Sequence, residues 1–249
     1  KGVGKAAFVG TKVTDVVIPE GVETIGEGAF SNCTTLVSAK LPTTLTRIDK
    51  KAFYGCLVLQ EMRIPNSVTE IGEYAFYFTD LSAVVIPPKV GAIKTGTFHT
   101  CHALKLLTIS EGVTNIGNAV FEYCHSLKSI VIPNSVTSIG QYAFYFCYSL
   151  SSVTNLALTP QEVAEDTFSK YGTLHVIKGH KDTYEATDVW KKFTIVDDAE
   201  DPAGIEEIKS QSTVNGQQST DLYNLQGVKV SGQQNRGIVI KNGKKYVVK

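Results

Sequence analysis

The stretch Ser129-Ile-Val-Ile-Pro-Asn-Ser-Val-Thr-Ser-Ile-Gly-Gln-Tyr-Ala-Phe-Tyr-Phe-Cys-Tyr-Ser-Leu150 decides the fold, because the chain repeats it from its first residues to about residue 174. Its central phenylalanine recurs as Phe8, Phe30, Phe53, Phe76, Phe98, Phe121, Phe144 and, more loosely, Phe168, at intervals of 22, 23, 23, 22, 23, 23 and 24 residues. A fixed period in the low twenties is the signature of a solenoid, in which each repeat stacks only on its neighbours.

Each unit reads in three pieces. The first is a strand such as Leu127-Lys-Ser-Ile-Val-Ile-Pro133, whose alternate residues Ile130 and Ile132 face a core while polar ones face outward. Proline ends it, having no N–H for a ladder. The second piece, Val136-Thr-Ser-Ile139, precedes a glycine that recurs as Gly26, Gly72, Gly117 and Gly140, a corner needing positive φ or close backbone approach. The third, Ala143-Phe-Tyr-Phe-Cys147, suits one helical or 3₁₀ turn that pushes Phe144 inward. No rung buries these residues alone. Stacked at about 4.8 Å, eight rungs form a continuous core about 38 Å long.

The repeated Ile-Pro-x-Ser-Val-Thr-x-Ile-Gly-x-x-Ala-Phe-x-x-Cys-x-x-Leu pattern of 132–150, with copies at 18–36, 64–81 and 109–127, resembles the BspA-like leucine-rich repeats of Bacteroidetes surface proteins. The copy at 41–59 diverges in its middle, and 86–104 has Lys94 at the corner. The expected fold is an α/β leucine-rich-repeat solenoid of about eight rungs of 22–24 residues, a parallel β ladder with short helical turns. It spans 1–196. Residues from about 155 to 196 resemble the family's terminal cap, with a helix over 180–190 and Tyr184 and Trp190 shielding the last rung.

Asp197-Asp-Ala-Glu-Asp-Pro-Ala-Gly204 reads as a linker and 205–249 as a small all-β module. Asn242-Gly243 between alternating strands marks a hairpin, and Asp221–Val230 a second one turning near Gly227. This tail resembles C-terminal modules of secreted Bacteroidetes proteins, some of which are sorting signals. A plain accessory module fits equally well.

Composition bounds the function. Net charge is zero, so no long-range field recruits nucleic acid or an anionic membrane. No apolar run is long enough to span a bilayer. The only methionine is Met62, and nothing upstream covers the open face of Phe8, so further residues are expected before Lys1.

Cys33, Cys56, Cys101, Cys124 and Cys147 all lie three residues after an anchor phenylalanine, with Thr79 in that place in the fourth full copy. They read as a reduced core column. His99, His102 and His125 beside Cys101 and Cys124 suggest zinc, but the cysteines point inward and the ligands diverge. No metal, cofactor or catalytic constellation is expected, and enzymatic activity is not.

Two surfaces remain. The outward strand columns carry Glu61, Arg63, Val85, Leu106, Thr108 and Val131, a mixed apolar and charged face of the kind repeat proteins bind through. The turns carry Tyr77, Tyr123, Tyr145 and Tyr148, with further aromatics beside them. Tyrosine stripes suit sugar or protein recognition. The plainer reading is that half of them pack between turns. The resemblance implies an exported, non-enzymatic surface protein, expected as a monomer, that adheres to host extracellular or cell-surface proteins. A glycan-binding role through the aromatic turns is the alternative.

Overall fold

Strands form wherever the apolar–polar alternation precedes the Ile-Pro pair, and they stack in parallel. In the computed structural model, residues 1–201 are described in full, together with the backbone of Leu222–Tyr223, Lys229–Val230, Gly237–Lys241 and Lys244–Val248. Contacts divide the chain into two units, Lys1–Ala199 and Glu200–Lys249.

The first unit is a parallel β-solenoid. Its main face carries strands Asp15–Val17, Ser38–Lys40, Glu61–Met62, Ala83–Ile86, Leu106–Ile109, Ser129–Ile132, Ser152–Asn155, Thr173–Ile177 and Thr194–Ala199. The solenoid thus has about nine turns, one more than the phenylalanine count suggests, because the strand leaving the cap adds a last coil. A second ladder of two-residue strands runs from Gly2–Val3 through Thr24–Ile25, Arg47–Ile48 and Glu70–Ile71, then resumes over Ala92–Ile93, Asn115–Ile116 and Ser138–Ile139.

Phenylalanine fills the centre. From Phe8 to Phe168 successive rings lie 5.0–5.7 Å apart with planes within 13°. Burying each ring contributes roughly 1.5–3 kcal/mol, and offset stacking about 0.5–1.5 more. The cysteine column lies beside it, reduced and buried. Each thiol donates to the phenylalanine carbonyl of the preceding rung, as Cys33 to Phe8 at 3.0 Å and Cys147 to Phe121 at 3.2 Å. Burial pushes Cys101 up to about 11, and Cys56 and Cys147 up to about 12, so these thiols are not nucleophiles.

The turn around each phenylalanine is not helical. Two left-handed residues flank it in the seven rungs from Phe8 to Phe144, one two residues before and one two after: Gly28 and Asn32 around Phe30, Tyr74 and Phe78 around Phe76, Tyr142 and Phe146 around Phe144. Such turns present alternate N–H groups to the next coil. Gly28, Phe30 and Asn32 donate to Lys50, Ala52 and Tyr54 at 2.9, 2.8 and 2.6 Å. A helix would direct those donors along its own axis, and the neighbouring rung would lose them. The turn face is therefore a third hydrogen-bonded ladder.

The corner glycines have ordinary φ, and close approach explains them. A Cβ on Gly26 would lie 2.8 Å from the Val3 carbonyl oxygen, and one on Gly117 2.8 Å from that of Ile93.

Two rungs are one residue short. In cysteine rungs Cys-x-x-Leu closes a turn, with the Leu36 N–H reaching the Cys33 carbonyl at 3.1 Å. The first and fourth rungs have Thr11-Lys12-Val13 and Thr79-Asp80-Leu81 instead. Their threonines bond their own rung's phenylalanine carbonyl, Thr11 to Phe8 at 2.9 Å and Thr79 to Phe76 at 3.0 Å. Around the second short turn the main ladder is interrupted between Glu61–Met62 and Ala83–Ile86. It is interrupted again between Leu106–Ile109 and Ser129–Ile132.

At the far end Trp190 and Phe193 meet Phe168 edge-on at 5.5 and 5.2 Å. The Tyr184 hydroxyl donates to Ala157 and the Trp190 indole to Gln161. The expected helix over 180–190 is shorter, Lys181–Glu185, followed by a separate 3₁₀ turn at Trp190–Lys192. Thr187 ends the helix by donating its hydroxyl to the Tyr184 carbonyl at 2.7 Å. The expected linker also starts late. Residues 197–199 belong to the last strand, Thr194–Ala199, which pairs with Thr173–Ile177 through Asp197 and Ala199, and the two aspartates have side-chain partners. Asp197 accepts from the Gly179 N–H at 2.9 Å and Asp198 pairs with His175 at 2.8 Å.

In the second unit four antiparallel strands are ordered Lys229–Val230, Leu222–Tyr223, Gly237–Lys241, Lys244–Val248. Gly237–Lys241 pairs with Lys244–Val248, and Leu222–Tyr223 with Lys229–Val230. The turn residues Asn242, Gly243 and Gly227, and the stretch 202–221, lie outside the described residues.

Candidate functional site

The outward columns of the main face follow from strand register. Asp15, Ser38 and Glu61 pair in turn, and Ala83 with Leu106. Val85 neighbours Thr108, and Val131 neighbours Thr154. Glu61, Arg63, Val85, Leu106, Thr108 and Val131 are all exposed on this face. Leu106 is 70% exposed, Val85 50% and Val131 49%. Val17, at 71%, extends the apolar set to the first rung. At equivalent positions further along stand Ser129, Ser152 and Thr154, which are the residues solvent favours there.

The face is not flat. A hollow of about 800 Å³ opens between the second and third strands, lined by Lys40, Leu41, Glu61, Met62 and Arg63 among others. A second, of about 300 Å³, lies on the far side of Arg63 toward Leu81 and Val85. Both have a physical origin. The inward column reads Val16, Ala39, Met62, Val84, Leu107, Ile130, so Ala39 leaves volume that its neighbours fill. The interrupted ladder after Met62 opens the other side.

The turn face holds a continuous array of rings. Tyr77 is sandwiched between Tyr54, at 4.7 Å and 6°, and His99, at 5.0 Å. Tyr123 lies between His99 and Phe146 at 5.5 and 4.7 Å, and Tyr145 contacts Phe146 at 4.3 Å. His102 and His125 stack at 4.5 Å, and Tyr148 covers His125 at 5.2 Å. Tyr77, Tyr123 and Tyr145 are half-buried in this array, while Tyr148 is 57% exposed. Phe78, Tyr142 and His102 are exposed as well. The sequence puts His102 and His125 at one register on adjacent rungs, where stacking is expected, and they stack; that tyrosines and His99 extend the pair into an array was not legible.

Electrostatics on the turn face follow burial. The His99 Nε2 lies 3.3 Å from Glu122 and its Nδ1 contacts the Thr100 hydroxyl. Burial, reinforced by His102, holds His99 below the usual imidazole range, and burial raises Glu122. His99 is thus neutral near pH 7. Burial and His102 also lower His125, whose Nε2 is buried without a partner. Among the described residues no group of three or more His, Cys, Asp or Glu side chains is placed to hold a metal ion. No helix there is long and apolar enough to cross a membrane.

A family model described as "BspA type Leucine rich repeat region" matches in six copies, over residues 1–128 and 92–215. Among solved structures, a leucine-rich repeat protein from Bacteroides ovatus is 23% identical, with 79% of this chain and 69% of that one covered and a TM-score of 0.39. A leucine-rich repeat protein of T. pallidum is 26% identical over 59% of this chain and 70% of that one, with a TM-score of 0.40. A "leucine rich cell surface protein" from Faecalibacterium prausnitzii is 24% identical over 82% of this chain and 64% of that one, with a TM-score of 0.31. No curated protein matches the sequence.

Proposed function

Because the chain belongs to the BspA-type leucine-rich-repeat family, we propose that it is an exported, non-enzymatic surface protein that binds host extracellular or cell-surface proteins through its strand face. The observation that carries this reading is the set of exposed aliphatics, Val17, Val85, Leu106 and Val131, on an otherwise polar face. Apolar side chains gathered on a rigid sheet beside charged ones mark an interaction surface. The binding mode is many modest contacts on a preorganised scaffold, with little ordering entropy to lose.

Glycan binding by the turns is the second reading, and Tyr148, Phe78 and Tyr142 favour it by their exposure. Ring geometry weighs against the others. A sugar stacks on a free ring face, but Tyr77 has both faces covered by Tyr54 and His99. The test is a binding screen of the intact chain against purified matrix proteins, cell-surface ectodomains and a glycan array. Saturable protein binding supports the proposal. Binding confined to glycans would replace it with the second reading.

A further inference from the structure

Two cations share the larger hollow. Lys40 and Arg63 occupy one outward column on adjacent rungs, about 4.8 Å apart by strand spacing, and both are exposed. Other lysines on neighbouring rungs meet a carboxylate, as Lys5 meets Glu27, Lys50 meets Glu73 and Lys94 meets Glu70. Among the described residues Lys40 and Arg63 have no ion pair and no side-chain hydrogen bond. Glu61 is the single acidic residue lining the hollow, so the lining carries two positive charges against one negative.

The backbone opens at the same place. In the first pair of strands the Ile18 N–H reaches the Lys40 carbonyl at 2.9 Å. The equivalent bond from Leu41 to Arg63 is not made, and the register ends at Ala39 and Met62. The floor of the hollow is apolar, with Ala39, Leu41 and Met62, and no aromatic ring lines it. One and two rungs onward stand Val85 and Leu106.

We infer that this hollow is an acid-recognising subsite, which receives the carboxylate of an aspartate or glutamate in an extended protein segment whose aliphatic side chain lies on Leu106. The inference rests on the reading that the strand face binds protein, and names the chemistry of the partner. Lys40 and Arg63 supply the charge, with Arg63 able to grip both carboxylate oxygens. From Arg63 to Leu106 is two rungs along and two residues across, about 12 Å. In an extended segment a residue four positions on, pointing the same way, lies about 13 Å away. The partner motif is therefore acid-x-x-x-aliphatic. A polysulfated glycan is a poorer fit, since the surplus is one charge and no ring offers a stacking face.

The experiment uses the full chain, immobilised, and synthetic ten-residue peptides carrying one Glu and one Leu four positions apart. The Glu–Leu peptide is expected to bind. Replacing its Glu by Gln, or its Leu by Ser, should weaken it at least tenfold. The double variant Lys40→Glu/Arg63→Glu should lose the Glu peptide and gain one with Lys in that place. Both sites are exposed, and a thermal melt matching the parent chain verifies the fold. Equal binding of the Gln peptide, unaltered binding by the double variant, or no peptide binding up to about 1 mM overturns the inference. Heparin binding that is lost in the double variant, with the peptides silent, overturns it in favour of a glycan. Protein binding abolished by Leu106→Asp but untouched by the charge reversal removes the subsite and leaves the strand-face function. Indifference to both removes the strand-face reading itself.

Discussion

Gly117 and Ala119 stand two residues apart and obey opposite rules. A methyl on Gly117 would press on the Ile93 carbonyl at 2.8 Å, with backbone rather than a flexible side chain in the way. Gly117→Ala should destabilise the solenoid by about 1–3 kcal/mol. Ala119 sits in the left-handed region at φ 53°, a register held by Gly28 and Gly96 in other rungs. That conformation costs a Cβ-bearing residue roughly 1–2 kcal/mol, and glycine's extra entropy loss offsets about 0.5–1 of the relief. Ala119→Gly should therefore range from neutral to about 1.5 kcal/mol stabilising. Urea denaturation of both variants measures the contrast. The glycine corner was legible in the sequence because it recurs. The left-handed pairs were not, because Lys51, Tyr74 and Tyr142 hide the register that Gly28 and Gly96 announce before the phenylalanine, and Phe78, Tyr123 and Phe146 hide the one that Gly10, Gly55 and Asn32 announce after it. Rung-to-rung hydrogen bonds enforce that register against intrinsic preference, so the expected helical turn gave way to a ladder.

Among the elements, the turn-face array couples to pH. A histidine whose folded pKa lies below its unfolded value favours the neutral form in the fold. Its contribution is complete above the unfolded value, and is lost as pH falls through that value toward the folded one. His99 and His125 are both lowered from 6.5 by burial, so stability should decline as pH falls below about 6.5. Glu122 acts oppositely and lower: its pKa is raised from 4.5, so the cost of its buried charge is relieved on acidification. Thermal melts at several pH values between 7.5 and 5.5 should show a falling midpoint. The fall should be smaller in His99→Gln/His125→Gln, and an equal fall would contradict this account of the array. The cap is the other decisive element. Trp190 is fully buried against Phe168, so Trp190→Ala should destabilise by about 3–5 kcal/mol, read by denaturant titration. The tryptophan and tyrosine of the cap were legible from their family-like spacing. The short helix was not, because it stops on one threonine hydroxyl at Thr187.

At the scale of the molecule, the repeat determines a scaffold and its irregularities determine the surface. Stacked phenylalanines and three parallel ladders make a rigid body, in which stability is a sum of neighbouring rungs. The outward columns were readable from alternation alone, and Val85, Leu106 and Val131 lie where the period puts them. The hollows were not readable. They arise from Ala39 in an inward column and from a ladder interrupted beside the short turn Thr79–Leu81, and both are departures from the period. Binding of one matrix or ectodomain protein from the screen, compared between the parent chain, Leu106→Asp/Val131→Asp and Tyr148→Ala/Tyr142→Ala, tests the central claim most directly. The account predicts that the strand-face variant loses affinity by at least tenfold, about 1.4 kcal/mol, while the turn-face variant binds like the parent. Loss in the turn-face variant, with the strand-face variant unchanged, would contradict it.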